Sequence, residues 1–134
     1  MTMTATTTTK TAAGSVLGIV LLAHGSRDPR WREPIEAVAA RVCQYAPDAR
    51  VTCAYMELAA PDLPTAAAAL IASGARAIRV VPLFLGMGKH AREDLPQQLA
   101  ALQESRPDIG FSLAPIVGEE PELLDLMARI AIKS

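Results

Sequence analysis

The chain has 134 residues, enough for one domain with a core of its own. Hydrophobic residues make up 51% and aromatics only 4%, so that core is aliphatic. With 13 basic and 14 acidic residues the net charge is −1, which lacks the basic excess of general nucleic-acid binders, and no apolar stretch reaches membrane-spanning length.

Residues 1–14, MTMTATTTTKTAAG, are rich in Thr and Ala and carry no apolar periodicity. They read as a disordered tail ahead of a single domain over 15–134. Lys10 before an apolar run raises the alternative of a signal peptide. Cleavage after Ala23 would leave His24 at a new N-terminus, and the run is β-branched at strand density, so a cytoplasmic strand is the preferred reading. Cys43 and Cys53 form no C-x-x-C pair. They read as two buried thiols in a reducing compartment rather than as a disulfide.

The first predicted strand is 16–23, Val-Leu-Gly-Ile-Val-Leu-Leu-Ala. A charge-free run of this kind belongs to a strand buried on both faces. A loop from His24 to Arg30 leads into a predicted helix over 31–46, with Ile35, Val38, Ala39, Val42 and Ala46 on one stripe. Asp28-Pro29 supplies an N-cap and a first-turn proline, and Pro47-Asp48 stops the helix. The second strand is Arg50–Met56. Pro61-Asp62-Leu63-Pro64 opens a helix to Ala72, with Gly74 as its C-terminal cap. The third strand is Ala77–Leu85. A helix over Arg92–Glu104 follows, with Leu95, Leu99 and Leu102 aligned. The fourth strand is Gly110–Ala114, and the last helix, Pro121–Ile132, turns Leu123, Leu124, Met127 and Ile130 inward.

Four βα units with short connections imply a parallel sheet with helices on both faces. A flavodoxin-like strand order, 2-1-3-4, sets the first and third strands side by side. The only two histidines, His24 and His90, then lie beyond the carboxyl ends of adjacent strands. That edge, at a switch in strand order, is where open α/β sheets bind ligands. Glu57 follows the second strand at the same edge. Two imidazoles and a carboxylate can coordinate a borderline divalent metal and leave positions open, as catalytic sites do.

Arg27, Lys89 and Arg92 lie within three residues of a site histidine and are candidates for holding an anionic ligand. Arg30 and Arg32 read as solvated. Ser26 reads as a loop cap and is counted with the substrate-contact residues; no G-x-S-x-G elbow surrounds it. Gly86-x-Gly88 lacks the full dinucleotide fingerprint, so nucleotide binding is rejected.

Three phrases carry a family resemblance: Leu22-Ala23-His24-Gly25-Ser26-Arg27-Asp28-Pro29, Met56-Glu57-Leu58-Ala59, and the long run from Val81 to Pro96. With them the chain resembles the small CbiX family of sirohydrochlorin cobaltochelatases and ferrochelatases, from about residue 16 to 130. The resemblance implies ATP-independent insertion of Co²⁺, Fe²⁺ or Ni²⁺ into a sirohydrochlorin-type tetrapyrrole for cobalamin or sirohaem. By matching motif, His24 and His90 would be the catalytic and metal-binding histidines, with Glu57 as the acidic ligand. The metal is a substrate, and no prosthetic group is implied. Short members act as homodimers resembling the two lobes of longer chelatases. Glu120 stands where many members carry a histidine; it could replace that imidazole as an oxygen ligand or favour a helix N-terminus. Two other classes stand beside this one. A metal-delivery protein would bind the ion without inserting it. A histidine-phosphatase-like enzyme would use His24 as nucleophile, but usually with Arg before it, where this chain has Ala23.

Overall fold

The computed structural model describes residues 16–134, so the expected tail over 1–14 lies outside the described residues. Four strands, β1 (Leu17–Ala23), β2 (Arg50–Tyr55), β3 (Ala77–Pro82) and β4 (Gly110–Leu113), form one all-parallel sheet in the order 2-1-3-4. Four helices alternate with them: α1 (Glu33–Tyr45), α2 (Leu63–Ala72), α3 (Lys89–Ser105) and α4 (Pro121–Ala131). The strand order and the parallel pairing are those expected from the βα pattern. No helix among the described residues is long and apolar enough to cross a membrane.

Alternation along each strand separates two faces. Val20 and Leu22 of β1, Ala54 of β2 and Ile78 and Val80 of β3 are buried together with Leu63, Ala66 and Leu70 of α2 and with Leu95 and Leu99 of α3. This is the main core. Leu21 and Ala23 point the other way, to the α1 side, where Val51, Cys53 and Tyr55 of β2 join them. α1 packs on β2 and β1. Ile35, Ala39, Val42 and Ala46 are only half-buried there, and Val38 is exposed. Cys53 donates a long hydrogen bond to the Ile35 carbonyl, while Cys43 is exposed on α1, so only one of the two thiols is sheltered, and both are free.

Local chemistry sets most boundaries. The Asp62 side chain accepts from the Thr65 N–H at the start of α2. At its end the Gly74 N–H bonds to Ile71 and the Ala75 N–H to Leu70, with Gly74 in the left-handed region, a Schellman ending. Asp28 caps as expected, but it caps a 3-10 turn, Pro29–Arg32, and α1 begins only at Glu33. β3 ends at Pro82, three residues short of the expected end. The Leu83 N–H still reaches the Leu22 carbonyl at 2.8 Å, and then Phe84 turns back into the core.

Two departures from the expected elements bear on the functional edge and on the surface. α3 starts at Lys89 rather than Arg92, because extended Gly88 serves as its N-cap and the residues after it are adequate helix formers. His90 and Lys89 therefore lie in the first turn of a helix, not in a free loop. α4 does not turn Leu124, Met127 and Ile130 into the core of this domain: all three are exposed, and only Leu123 is half-buried. The cause is its exit. A 3-10 turn, Val117–Glu119, carries the chain off the sheet edge, and α4 makes its main contacts with that turn.

Candidate active site

β1 and β2 stay zipped beyond their ladder. The Met56 N–H donates to the Ala23 carbonyl at 2.9 Å and the Glu57 N–H to the His24 carbonyl at 3.0 Å. The Tyr55 N–H meets the Pro61 carbonyl at 2.9 Å, which folds the loop after β2 back on itself. These bonds hold His24 and Glu57 as backbone neighbours. Between them Gly25 takes a φ of +100° and lies against Glu57, so closely that a methyl group would run into the Glu57 carbonyl oxygen. Only glycine satisfies both demands.

The His24 ring stacks on Phe84, with centroids 4.1 Å apart and an interplanar angle of 18°. Phe84 is 1% exposed, whereas His24 faces solvent. A ring laid flat on a fixed aromatic presents its nitrogens edge-on. Stacking, rather than a side-chain hydrogen bond among the described residues, thus orients this imidazole.

His24 opens onto a cavity of about 260 Å³ with Ser26, Trp31, Arg32, Tyr55 and Leu83 in its wall. Ser26 spends its Oγ locally, accepting from the Asp28 N–H at 3.1 Å, as its loop-cap reading requires. Trp31 is 67% exposed, a large apolar wall left open to solvent. Arg32 departs from its solvated reading. Its guanidinium lies over the Tyr55 ring, 5.8 Å from the centroid, and its Nε is buried without a partner. A buried, unpaired N–H next to a cavity is a donor awaiting an acceptor. Arg32 escapes sequence reading because its stacking partner arrives from another strand. Arg30 is solvated as expected and pairs with Asp28 at 2.9 Å. Burial pushes the Tyr55 phenol up from its ordinary value, with Cys53 and Glu36 adding to it against an opposing pull from Arg32, so the hydroxyl stays protonated near neutrality.

A second, more open groove of about 540 Å³ shares Pro34, Ile35 and Leu83 with the first, so the two are continuous over the start of α1. Glu120 lines its far end, at the N-cap position of α4, where a carboxylate suits the helix dipole.

The remaining expected residues stand across the edge on α3. Lys89, His90 and Arg92 are all exposed in its first turn. Two cationic side chains, Lys89 and Arg92, and no acidic one occupy that turn beside His90, against the preference of a helix N-terminus, which is electropositive already. Such a concentration of positive charge suits an anion. Arg92 uses part of its fork to hold the preceding loop, donating to the Met87 carbonyl at 2.9 Å. Arg27 is exposed beside His24. Neither Glu57 nor His90 lines the His24 cavity. Among the described residues, no three His, Cys, Asp or Glu side chains stand close enough to hold one metal ion together.

The CbiX family model matches residues 18–133. A sirohydrochlorin cobaltochelatase of Saccharolobus solfataricus is 36% identical over 120 residues, covering 85% of this chain and 92% of that protein. Several methanogen cobaltochelatases align over only 59–63% of their own length. The crystal structure of a CbiX protein of Marinobacter aquaeolei superposes with a TM-score of 0.73 at 36% identity, covering 86% of this chain and 93% of that one. The sirohydrochlorin chelatase SirB of Bacillus subtilis subspecies spizizenii, in complex with cobalt, also gives a TM-score of 0.73, at 26% identity; the match covers 87% of this chain but 50% of SirB. With nearly all of its α/β domain matched by one family model, the chain belongs to the CbiX family.

Proposed function

We propose that this protein inserts a divalent metal ion, Co²⁺ or Fe²⁺ with Ni²⁺ as a further candidate, into sirohydrochlorin without ATP, for cobalamin- or sirohaem-type tetrapyrroles. The observation that carries this reading is an imidazole stacked on Phe84 and a basic helix turn bearing the second imidazole, each following one of two adjacent strands, β1 and β3, of a CbiX domain. Insertion strips water from the cation and removes two pyrrole N–H protons. Neutral imidazoles suit both tasks, since they bind borderline metals and accept protons near working pH. In this reading His24 and His90 guide the ion and take the protons, and Glu57 is the acidic ligand. The three do not form a ready-made cage, which suits an ion that must be handed on: each could hold it in turn while water or pyrrole nitrogens complete its coordination. Trp31 and Leu83 would cover the apolar face of the macrocycle.

Sirohydrochlorin is a polycarboxylate. Ser26, Arg27, Lys89 and Arg92 are assigned to its rim, and Arg32, with its unpaired Nε, joins them. Lys89→Ala should raise the tetrapyrrole KM several-fold, by roughly a factor of ten at most for a partly exposed contact. The metal KM should stay unchanged, and the effect should shrink with added salt. Arg92→Ala should do more, because it also frees the Met87 carbonyl. An unchanged tetrapyrrole KM in both variants, measured at two ionic strengths, would place the rim contacts elsewhere.

The working unit in this reading is a homodimer, since one such domain spans half of SirB and offers little area to a macrocycle. A metal-delivery protein is the second reading, and the absence of a three-ligand cluster among the described residues does not favour it. Sirohydrochlorin titration of the metal-free protein separates the two. Saturable micromolar binding supports the chelatase, and binding of metal alone supports delivery.

A further inference from the structure

We propose that α4 is a donated element, laid by each protomer across the sheet of a second copy of this chain. The helix is strongly two-faced. Leu124, Leu126, Met127 and Ile130 are 39–58% exposed, while Glu122, Asp125 and Arg129 share its polar side, with Arg129 and Asp125 paired. A stripe of this kind needs cover. The cover that the fold would ordinarily provide is its own sheet, and there the matching strip is bare. The main packing of α1 on the sheet is against β2 and β1. Over β3 and β4 the same face presents half-buried Val81 and exposed Arg79 and Ser112, the last two directly paired in register.

The exit turn keeps the helix from closing on its own strip. The Gly118 N–H bonds to the Phe84 carbonyl at 3.0 Å, and Gly118 is pressed against the Leu85 backbone so tightly that a methyl group there would overlap the Leu85 carbonyl. The Glu120 N–H then closes on the Val117 carbonyl at 3.0 Å. α4 leaves this braced corner in a set direction, with its apolar stripe unburied.

Charge and area favour a second copy. The bare strip carries a cation, Arg79, and the flank of the helix carries the carboxylate of Glu122 beside the internally paired Asp125 and Arg129. An 11-residue helix is about 16 Å long, too small by itself for the ~800 Å² per partner that stable interfaces bury. Reciprocal exchange buries a helix stripe and a sheet strip on every protomer, and so counts both twice. Exchange of an identical element is a low-cost route to a symmetric dimer. The exchange rests on the homodimer of the proposed function and assigns the surface that forms it.

Two measurements test it, and neither uses the insertion reaction, so failure of the chelatase reading and failure of the exchange are distinguishable. Sedimentation velocity at micromolar concentration should show a dimer, and Ile130→Arg should weaken it by at least 100-fold with an unchanged circular dichroism spectrum. In the second, a photo-crosslinking phenylalanine derivative replaces Ile130 in chains of natural isotope content, which are mixed with ¹⁵N-labelled parent chains. After irradiation and digestion, α4 peptides should be joined to labelled peptides from 77–83 or 110–114. A monomeric parent protein, a dimer indifferent to Ile130→Arg, or cross-links confined to single chains would each overturn the proposal.

Discussion

Alanine at His90 should slow metal insertion by at least about 100-fold, the lower range for loss of a positioned acid–base group. The fold should survive. His90 is exposed on the first turn of α3, where a neutral residue is no burden on the helix dipole. Its neighbour supplies the control: Lys89→Ala should alter the tetrapyrrole KM and leave kcat close to that of the parent. The check is steady-state insertion over a range of tetrapyrrole concentrations with the metal saturating, alongside a thermal melt. A folded His90→Ala protein that turns over within about threefold of the parent would remove His90 from the chemistry.

Gly25→Ala should be the most damaging single-methyl change at the site. The added methyl must sit at a φ of +100°, and it would collide with the Glu57 carbonyl oxygen, which is backbone and cannot swing aside. Backbone strain and overpacking each cost roughly 1–3 kcal/mol, so the total is roughly 2–6 kcal/mol. For a domain of this size that lowers Tm by roughly 8–24 °C. Insertion should fall further than the melt implies, since relief of the clash separates His24 from Glu57. Gly86→Ala is the matched control, because a methyl there meets nothing within 4 Å. It should change stability by about 0.5 kcal/mol or less. A Gly25→Ala melt within 2 °C or so of the parent would show that the turn relaxes without cost.

These two residues also show what a linear reading of the chain can reach. β1 and β2 are legible almost to the residue: the charge-free apolar run of β1 stops at His24, and β2 ends one residue from where it is expected, just before the Glu57 loop. Crossover handedness narrows the possible strand orders, and the expected flavodoxin-like order, 2-1-3-4, is the one found; it brings both histidines to one edge. The start of α3 is not legible. Two cationic side chains, Lys89 and Arg92, with no acidic one at a helix N-terminus run against local preference, so Lys89 and His90 read as loop until Gly88 is seen to cap them. Arg32 reads as solvated because its partner, Tyr55, lies 23 positions along the chain. The stripe on α4 is visible in the spacing of Leu123, Leu124, Met127 and Ile130. Periodicity reports that a face is apolar and is silent on which molecule covers it.

In the proposed function the carboxyl edge of this sheet moves a metal ion into a tetrapyrrole. The most direct test of this claim is an insertion assay with purified protein, metal-free sirohydrochlorin and Co²⁺, Fe²⁺ or Ni²⁺ in parallel, anaerobically and without ATP. The parent protein should accelerate the spectral change of metallation well above the spontaneous rate with Co²⁺ or Fe²⁺, and His24→Ala should return it to that rate. Binding of both substrates with no acceleration for any of the three metals would contradict the claim and leave a protein that carries metal without inserting it.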